Sequence, residues 1–317
     1  MTERSNNNGR AYEYACLMQL QQALSPLRTV KVIQSSNLED DKRAWEKIGR
    51  ELQHTLTESS HAAARTLMDL EELMSETDGD SLCLLVQSDK AGENGDVRDI
   101  LIFRDKIGWE IGLSCKHNHF ALKHSRISAN LDFGEKWYGI SCSETYWRAV
   151  RPIFQRLKEE ESSGALWRDL VDKASTIYIP LLQAFIAEVK KAYARDETMA
   201  ARLVEYLMGK YDYYKVISMD KDRTTQIRPY NAHGGLGRPG KEDGAKILIP
   251  KTSLPTRIVE VGMKPGSENT AELYMDEGWQ FAFRIHNAET KVKPTLKFDI
   301  EAVGMPNTVI VINATWN

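Results

Sequence analysis

Two short β-prone segments with a turn between them constrain the fold of this chain more than any other feature. Residues 100–103 (ILIF) follow an acid, Asp99, and residues 109–116 (WEIGLSCK) end in Lys116. Residues 104–108 have the composition of a turn, so the two segments are predicted to form a hairpin. Because side chains alternate between the faces of a strand, Asp99 at the start of the first strand can meet Lys116 at the end of the second.

The pairing of Asp99 with Lys116 resembles the core of the PD-(D/E)XK nucleases, in which a second acid lies two residues before the lysine. Here that position is Ser114, a weak ligand for a hard cation. Glu110 shares the face of Ser114 but lies about 13 Å back along the strand, at about 3.3 Å per residue. An acid and a lysine at a strand end can hold a divalent metal and polarise a water molecule. Because Ser114 is a weak ligand and Glu110 lies too far back, another carboxylate is needed to complete such a site.

Longer blocks of sequence resemble the HaeIII family of type II restriction endonucleases. They are SNNNGRAYEY near the start, then GDVRDILI, WEIGLSCKHNHFALKHSRIS, LDFGEKWYGI and FRIHNAETKVKPTLKFDI, and they extend from about residue 5 to about residue 300. The resemblance implies a Mg²⁺-dependent endonuclease that recognises GGCC in double-stranded DNA and cuts between G and C to leave blunt ends. It also implies an α/β fold with a mixed sheet flanked by helices, and a cognate DNA methyltransferase that protects host DNA.

The first predicted helix, over about residues 9–23 with an N-cap from residues 5–8, carries Glu13. An acid in the early turns of a helix is often only a favourable partner of the helix dipole. The spacing G-x-x-x-E also resembles the first helix of Holliday-junction-resolvase-like PD-(D/E)XK nucleases, where this glutamate reaches the metal. Glu13 is therefore our preferred ligand in place of Ser114, and the carbonyl of Cys115 is a further ligand that the resemblance implies.

These residues predict hydrolysis of a phosphodiester by a metal-activated water. Asp99 would bridge one or more Mg²⁺ ions, Glu13 would complete the carboxylate set, and Lys116 would orient or deprotonate the water. Asp96 is the rival of Asp99 because it also precedes the first strand. Asp99 is favoured because it directly adjoins the apolar run.

The segment after Lys116 is rich in histidine and basic residues. Its three histidines have no cysteine partner at zinc-site spacing, so a cationic loop is the better interpretation. Between residues 116 and 158 there are eight Lys or Arg against three acids, in a chain of net charge −3. Such a block predicts a surface that follows DNA phosphates, with a solvated face as the alternative. The expected DNA contacts here are Lys123, His124, Arg126 and Lys136.

Three consecutive parts are predicted along the 317 residues: a nuclease core over 1–145 with the hairpin at 96–116, a helical segment over 146–210, and a β-rich part over 211–317. The hydrophobic fraction of 42% is sufficient for a substantial core. Four widely spaced cysteines predict reduced thiols in the cytoplasm. No apolar run approaches the roughly 20 residues that cross a bilayer.

The connection over residues 223–243 combines six glycines and prolines with basic and polar side chains. Long polar loops on a rigid sheet often carry recognition, and Arg or Lys can donate to guanine O6 and N7. Base contacts are expected from this loop, with a disordered linker as the alternative. The residues are Arg228, Asn231, His233, Arg238 and Lys241.

Two other functions agree with the same residues. A DNA-binding module with a decayed nuclease centre would explain Ser114, and a structure-specific repair or junction nuclease would share the core. A palindromic target is compatible with a homodimer or with a monomer that cuts the strands in succession. The number of metal ions also stays open.

Overall fold

The computed structural model describes residues 3–88, 95–239 and 249–316, with side chains from residue 7 onward. Within these ranges the helices are α1 Glu3–Leu24, α2 Ser36–Lys47, α3 Arg50–Leu70, α4 Glu72–Ser75, α5 Phe133–Tyr138, α6 Glu144–Ser162, α7 Ile179–Arg195 and α8 Met199–Met208. The strands are β1 Val30–Ile33, β2 Leu82–Val86, β3 Ile100–Arg104, β4 Trp109–His117, β5 Lys123–Ser128, β6 Tyr213–Met219, β7 Thr224–Tyr230, β8 Ile258–Met263, β9 Thr270–Met275, β10 Gln280–His286, β11 Thr295–Gly304 and β12 Ile312–Thr315.

The chain forms two compact units. Unit 1 comprises Met1–Phe120, Gly209–Thr252 and Thr308–Asn317, and unit 2 comprises Ala121–Met208 and Ser253–Asn307. This division differs from the three consecutive parts predicted above. The reason is that β4 pairs in parallel with β6, which follows it by about a hundred residues, so neighbours in the sheet are not neighbours in sequence.

Unit 1 is built on a mixed seven-stranded sheet in the order β1-β2-β3-β4-β6-β7-β12. The β1/β2 and β4/β6 pairs are parallel, and the other pairs are antiparallel. The predicted hairpin is confirmed: β3 and β4 pair with Ile100 opposite Leu113. The predicted α/β class with a mixed sheet and flanking helices is likewise confirmed.

Helix α1 covers one face of this sheet because its apolar residues recur at helical spacing. Ala11, Ala15, Leu20 and Leu24 are buried, and the helix packs on β4. The helix begins at Glu3, so residues 5–8 lie inside it and do not cap it as predicted. Once nucleated, a helix gains one hydrogen bond for each residue added, which allows it to continue through this polar run.

Unit 2 is built on a five-stranded antiparallel sheet in the order β5-β11-β10-β9-β8. Helices α5 to α8 belong to the same unit. Its core contains an aromatic cluster in which Phe133 and Trp137 of α5 pack on Phe185 of α7 and on Phe283 and Phe298 of the sheet. This packing fixes the inner face of the sheet, so alternate side chains of its strands point outward.

No helix in the described part of the chain has the length and apolar character needed to cross a membrane.

Candidate active site

Asp99 and Lys116 meet at the edge where β3 begins and β4 ends. The Nζ atom of Lys116 lies 3.1 Å from Oδ2 of Asp99, and the backbone N–H of Cys115 donates to the same oxygen at 2.7 Å. The side chains of Asp99 and Lys116 are 23% and 28% exposed. The pair is therefore fixed by the hairpin and still accessible to a ligand.

The backbone of Asp99 is held as firmly as its side chain. Its N–H donates to the carbonyl of Leu113 at 2.7 Å, and its carbonyl accepts from Gln87 at 2.9 Å. Extending the β3/β4 register by one residue places Asp99 opposite Ser114, on the same face as Lys116. The carboxylate is thus positioned by the sheet itself.

Lys116 carries its positive charge in this environment. Burial lowers the pKa of its ammonium group, but the negative charges of Asp99 and Glu13 outweigh burial and the pKa is raised. A lysine with a raised pKa is protonated at neutral pH. It can donate hydrogen bonds and offset negative charge, whereas acting as a base would first require loss of its proton.

Glu13 on α1 belongs to the same electrostatic cluster. Its pKa is raised well above the ordinary value, mainly by burial and then by the negative charges of Asp99 and Asp41. The positive charges of Lys116 and Arg10 oppose that shift. A carboxyl group whose pKa is raised by a neighbouring carboxylate is stabilised in its ionised form by a nearby cation.

Asp41 is a buried acid of this region that the sequence analysis missed. It lies on α2, is fully buried, and accepts a hydrogen bond of 3.1 Å from Arg10 on α1. The polar run around Asp41 looks like a solvated face. A signal was nevertheless present, because Leu38, Asp41 and Ala44 follow a spacing of three and form the buried face of α2.

Asp96, the rival of Asp99, is committed to another partner. Both of its oxygens accept from Arg98 at 2.8 Å, and Arg98 also donates to Glu110 at 2.7 Å. Burial raises the pKa of Asp96, and the hydrogen bonds from Arg98 bring it below the ordinary value. Asp96 and Glu110 thus neutralise Arg98, which favours Asp99 as the acid that acts with Lys116.

Ser114 and Cys115 occupy different environments on β4. The Ser114 side chain is buried on the face shared with Lys116. The Cys115 thiol is buried beside Cys16 of α1, and its pKa is raised well above the ordinary value, chiefly by the hydrogen bond with Cys16 and by burial. The ligand role of the Cys115 carbonyl stays a prediction.

Two carboxyl groups, those of Asp99 and Glu13, act electrostatically on Lys116. Within residues 3–88, 95–239 and 249–316 there is no group of three or more His, Cys, Asp or Glu that could hold a metal ion. Mg²⁺ is commonly bound by one or two carboxylates, with water and substrate phosphates as its remaining ligands. The residues present therefore fit a Mg²⁺ ion that DNA helps to hold.

Two basic residues continue the row of Asp99 and Ser114 across the sheet. Lys215 on β6 pairs with Ser114 on one side and with Arg228 on the other. Lys215 is buried and donates to the carbonyl of Phe120 at 2.8 Å, and Arg228 stacks over the Phe120 ring at 5.5 Å. Lys215 was missed in the sequence, and Arg228, expected in a loop, lies in β7.

The prediction of a recognition loop over 223–243 is wrong in its first half, because residues 224–230 form the strand β7. Beyond it, Asn231 is buried, donates to the carbonyl of Ile249 at 3.0 Å and accepts from Leu236 at 3.1 Å. Because these bonds use its amide group, Asn231 anchors the loop and is not placed to contact a base. His233 and Arg238 are exposed. Lys241 lies outside the described residues.

The basic loop predicted after Lys116 is also corrected, because its second half forms β5 of unit 2. Lys123 points inward, where it donates to the carbonyl of Tyr206 at 3.0 Å and lies 3.6 Å from the centre of that ring. His124 contacts Asp299 at 2.6 Å. Arg126 on β5 and Lys136 on α5 are exposed.

The chain is similar to known proteins along nearly its whole length. The family model described as HaeIII restriction endonuclease matches residues 9–306 of the chain. Over 317 residues the chain is 43% identical to the type II restriction enzyme HaeIII of Haemophilus aegyptius, covering 100% of this chain and 99% of that relative. No solved structure matches the chain significantly.

Proposed function

This chain belongs to the HaeIII restriction endonuclease family and is a site-specific endonuclease of double-stranded DNA, and from that premise we propose that it cuts at GGCC. Cleavage between G and C would leave blunt ends. The observation that carries the chemical assignment is the contact of 3.1 Å between Lys116 and Asp99, partly exposed at one end of the central hairpin.

Type II restriction endonucleases in general need a divalent metal, and we propose Mg²⁺ here. Asp99 and Glu13 would hold it, with the Cys115 carbonyl as a further oxygen ligand. When bound, Mg²⁺ increases the acidity of water and offsets negative charge on the phosphate. The raised pKa of Glu13 supports this assignment, because a cation relieves the repulsion between its carboxylate and that of Asp99.

Lys116 would act as a fixed positive charge beside the scissile phosphate. Its protonated amine can donate a hydrogen bond to the attacking water or to a phosphate oxygen, and so stabilise the charge that develops at phosphorus. Water adds to phosphorus while one ester P–O bond breaks, which yields a phosphate monoester and a hydroxyl group. Asp99 keeps the amine in place through the bond between Nζ and Oδ2.

DNA contacts are proposed for side chains of both units. His233 and Arg238 lie in the part of the loop that follows β7, and Arg238 can donate to guanine O6 and N7. His124, Arg126 and Lys136 would contact phosphates. Arg228 would do so from the row that contains Ser114.

The genetic and cellular setting follows from the proposed reaction. A DNA methyltransferase that modifies the same site would protect host DNA. The four free cysteines fit a reducing cytoplasm, where such DNA is found. A palindromic target is satisfied by a two-fold dimer or by a monomer that cuts the strands in succession.

The test is digestion of DNA of known sequence with Mg²⁺, followed by sequencing of the fragment ends. We expect discrete fragments that end at GG/CC, that do not form when the sites are methylated, and that require the metal, so that excess EDTA abolishes cutting. Cutting at other sequences would contradict the proposed target. Absence of cutting with Mg²⁺, or cutting of branched DNA alone, would contradict the proposed function.

A further inference from the structure

The outward face of the unit 2 sheet carries a concentration of basic side chains at one end. We call this group the basic corner, and it comprises His124 and Arg126 of β5, Lys297 and Asp299 of β11, and Arg284 and His286 of β10. Alternation along these strands places the six residues on one face, opposite the aromatic core. All six belong to the same unit.

The basic corner places like charges directly opposite one another. Arg126 pairs with Lys297 in the β5/β11 register, so two positive charges lie directly opposite one another. Like charges at opposite positions of neighbouring strands destabilise a sheet. Such an arrangement is expected where a ligand of the opposite charge compensates for it.

The acid within the basic corner does not cancel this charge at the surface. The Asp299 side chain is 12% exposed, accepts from His124 at 2.6 Å, and is paired with Arg284. Arg284 is 58% exposed, so its guanidinium is held by Asp299 and still accessible. Burial lowers the pKa of His286, which is therefore neutral at pH 7. The permanent cations are Arg126, Lys297 and Arg284.

Protection of a sheet edge does not explain this charge. A charged side chain on an edge strand discourages pairing with other chains, and that reason covers Arg126 on β5. Lys297 and Arg284 lie on the interior strands β11 and β10, where no edge needs protection. Two residues beyond Asp299, β11 carries the exposed acid Glu301, so the positive charge is confined to one end of the face.

We propose that the basic corner binds the phosphate backbone of the DNA substrate, with Lys297 and Arg284 as phosphate contacts that add to Arg126. Arg126 and Lys297 lie opposite one another on adjacent strands about 4.8 Å apart, and Arg284 lies on the third strand, two residues further along, so the positive charge is spread over three strands as contacts to several phosphates require. The contact would be independent of base sequence, because backbone phosphates carry no sequence information. The inference rests on the DNA endonuclease function described above.

The test is DNA binding measured by fluorescence anisotropy over a range of salt concentrations, in EDTA to prevent cleavage. The variants are Arg284→Gln, Lys297→Gln and the double variant, with Arg168→Gln and Lys190→Gln as matched controls on exposed residues of unit 2. Each loss of a phosphate contact should make the slope of log K against log salt less negative by about 0.9, and the double variant by about 1.8. The weakening should be equal for a GGCC duplex and for a duplex without GGCC.

An unchanged slope in the double variant, at wild-type melting temperature, would overturn the inference. Weakening confined to the GGCC duplex would also overturn it, because that result indicates base contact. Since Arg284 bonds Asp299, the charge-conserving variant Arg284→Lys is a second check, and it should retain the wild-type slope. Failure of the proposed function is distinguished separately: the wild-type protein would then bind DNA without producing GGCC fragments.

Discussion

At the residue scale, the departure at Ser114 requires a carboxylate from outside the hairpin. We propose that Glu13 meets this requirement, and its raised pKa, caused first by burial and then by the negative charges of Asp99 and Asp41, supports that role. The hydrogen bond from Arg10 on α1 to Asp41 on α2 fixes the turn of α1 that carries Glu13. A site with a serine in the usual position of an acid can therefore retain two carboxylates.

Replacement of Glu13 by Gln should lower the rate of cleavage by about 100-fold or more, because a charged group that stabilises the transition state is lost. Higher Mg²⁺ concentrations should restore part of the activity if the carboxylate binds the metal. Glu39→Gln, an exposed acid on α2, is the matched control and should cut at the wild-type rate. A folded Glu13→Gln protein with wild-type activity would remove Glu13 from the site.

Sequence patterns revealed the residues that share one hairpin and missed those that meet from separate elements. Asp99 and Lys116 are related by strand alternation, which can be read from the chain directly. Asp41 and Lys215 come near this site only because α2 packs on α1 and β6 pairs with β4. No local spacing connects them with the hairpin.

At the element scale, the loop after β7 is fixed by a buried acid at the end of α3. Oε1 of Glu71 accepts from the hydroxyl of Tyr214 at 2.5 Å and from the backbone N–H of Gly237 at 2.8 Å. Its Oε2 has no hydrogen-bond partner among the described residues. Burial raises the pKa of Glu71 to about 7. Glu71 therefore anchors the segment that carries His233 and Arg238.

This pKa predicts how stability depends on pH. Because the folded-state pKa of Glu71 is above the unfolded value of 4.5, its contribution is fully present below pH 4.5 and is lost as the pH rises through about 7. Glu71→Gln keeps the acceptor oxygen and has no charge, so the free energy of unfolding of this variant, measured by thermal melts, should not decline in this way. In the wild type the decline in the free energy of unfolding amounts to about 3 kcal/mol.

The exposed residue Glu51 on α3 provides the control, and Glu51→Gln should retain the pH dependence of the wild type. Parallel curves for Glu71→Gln and the wild type between pH 4.5 and pH 8 would contradict the assignment.

Strands with regular apolar patterns could be predicted, and β7 could not. Polar residues and Pro229 make its sequence resemble a loop, since proline lacks the N–H needed inside a sheet. In the structure β12 pairs only with residues 224–227, so Pro229 lies beyond the end of that partner strand. β7 pairs along its whole length with β6, from which residues 220–223 separate it, so it is the second strand of a hairpin. Its polar residues and Pro229, and not a distant pairing, are the reason that its sequence resembles a loop.

At the scale of the whole molecule, a net charge of −3 conceals local positive surfaces. The α/β class and the mixed sheet were implied by the family resemblance, and the strand patterns themselves predicted the hairpin of β3 and β4. The division into units could not be predicted, because unit 1 takes strands from three separate stretches of the chain. Each unit carries exposed basic residues for which DNA contacts are proposed, and unit 1 carries Asp99 and Lys116.

The most direct test of the central claim compares cleavage and binding of a GGCC duplex by Asp99→Asn, Lys116→Ala and wild-type proteins in single-turnover experiments with Mg²⁺. Both variants should bind the duplex nearly as tightly as the wild type and cut it more slowly by a factor on the order of 100 to 1,000, because the acid and the cation act on the reacting phosphate. Cutting by both folded variants at the wild-type rate would show that the chemistry lies elsewhere.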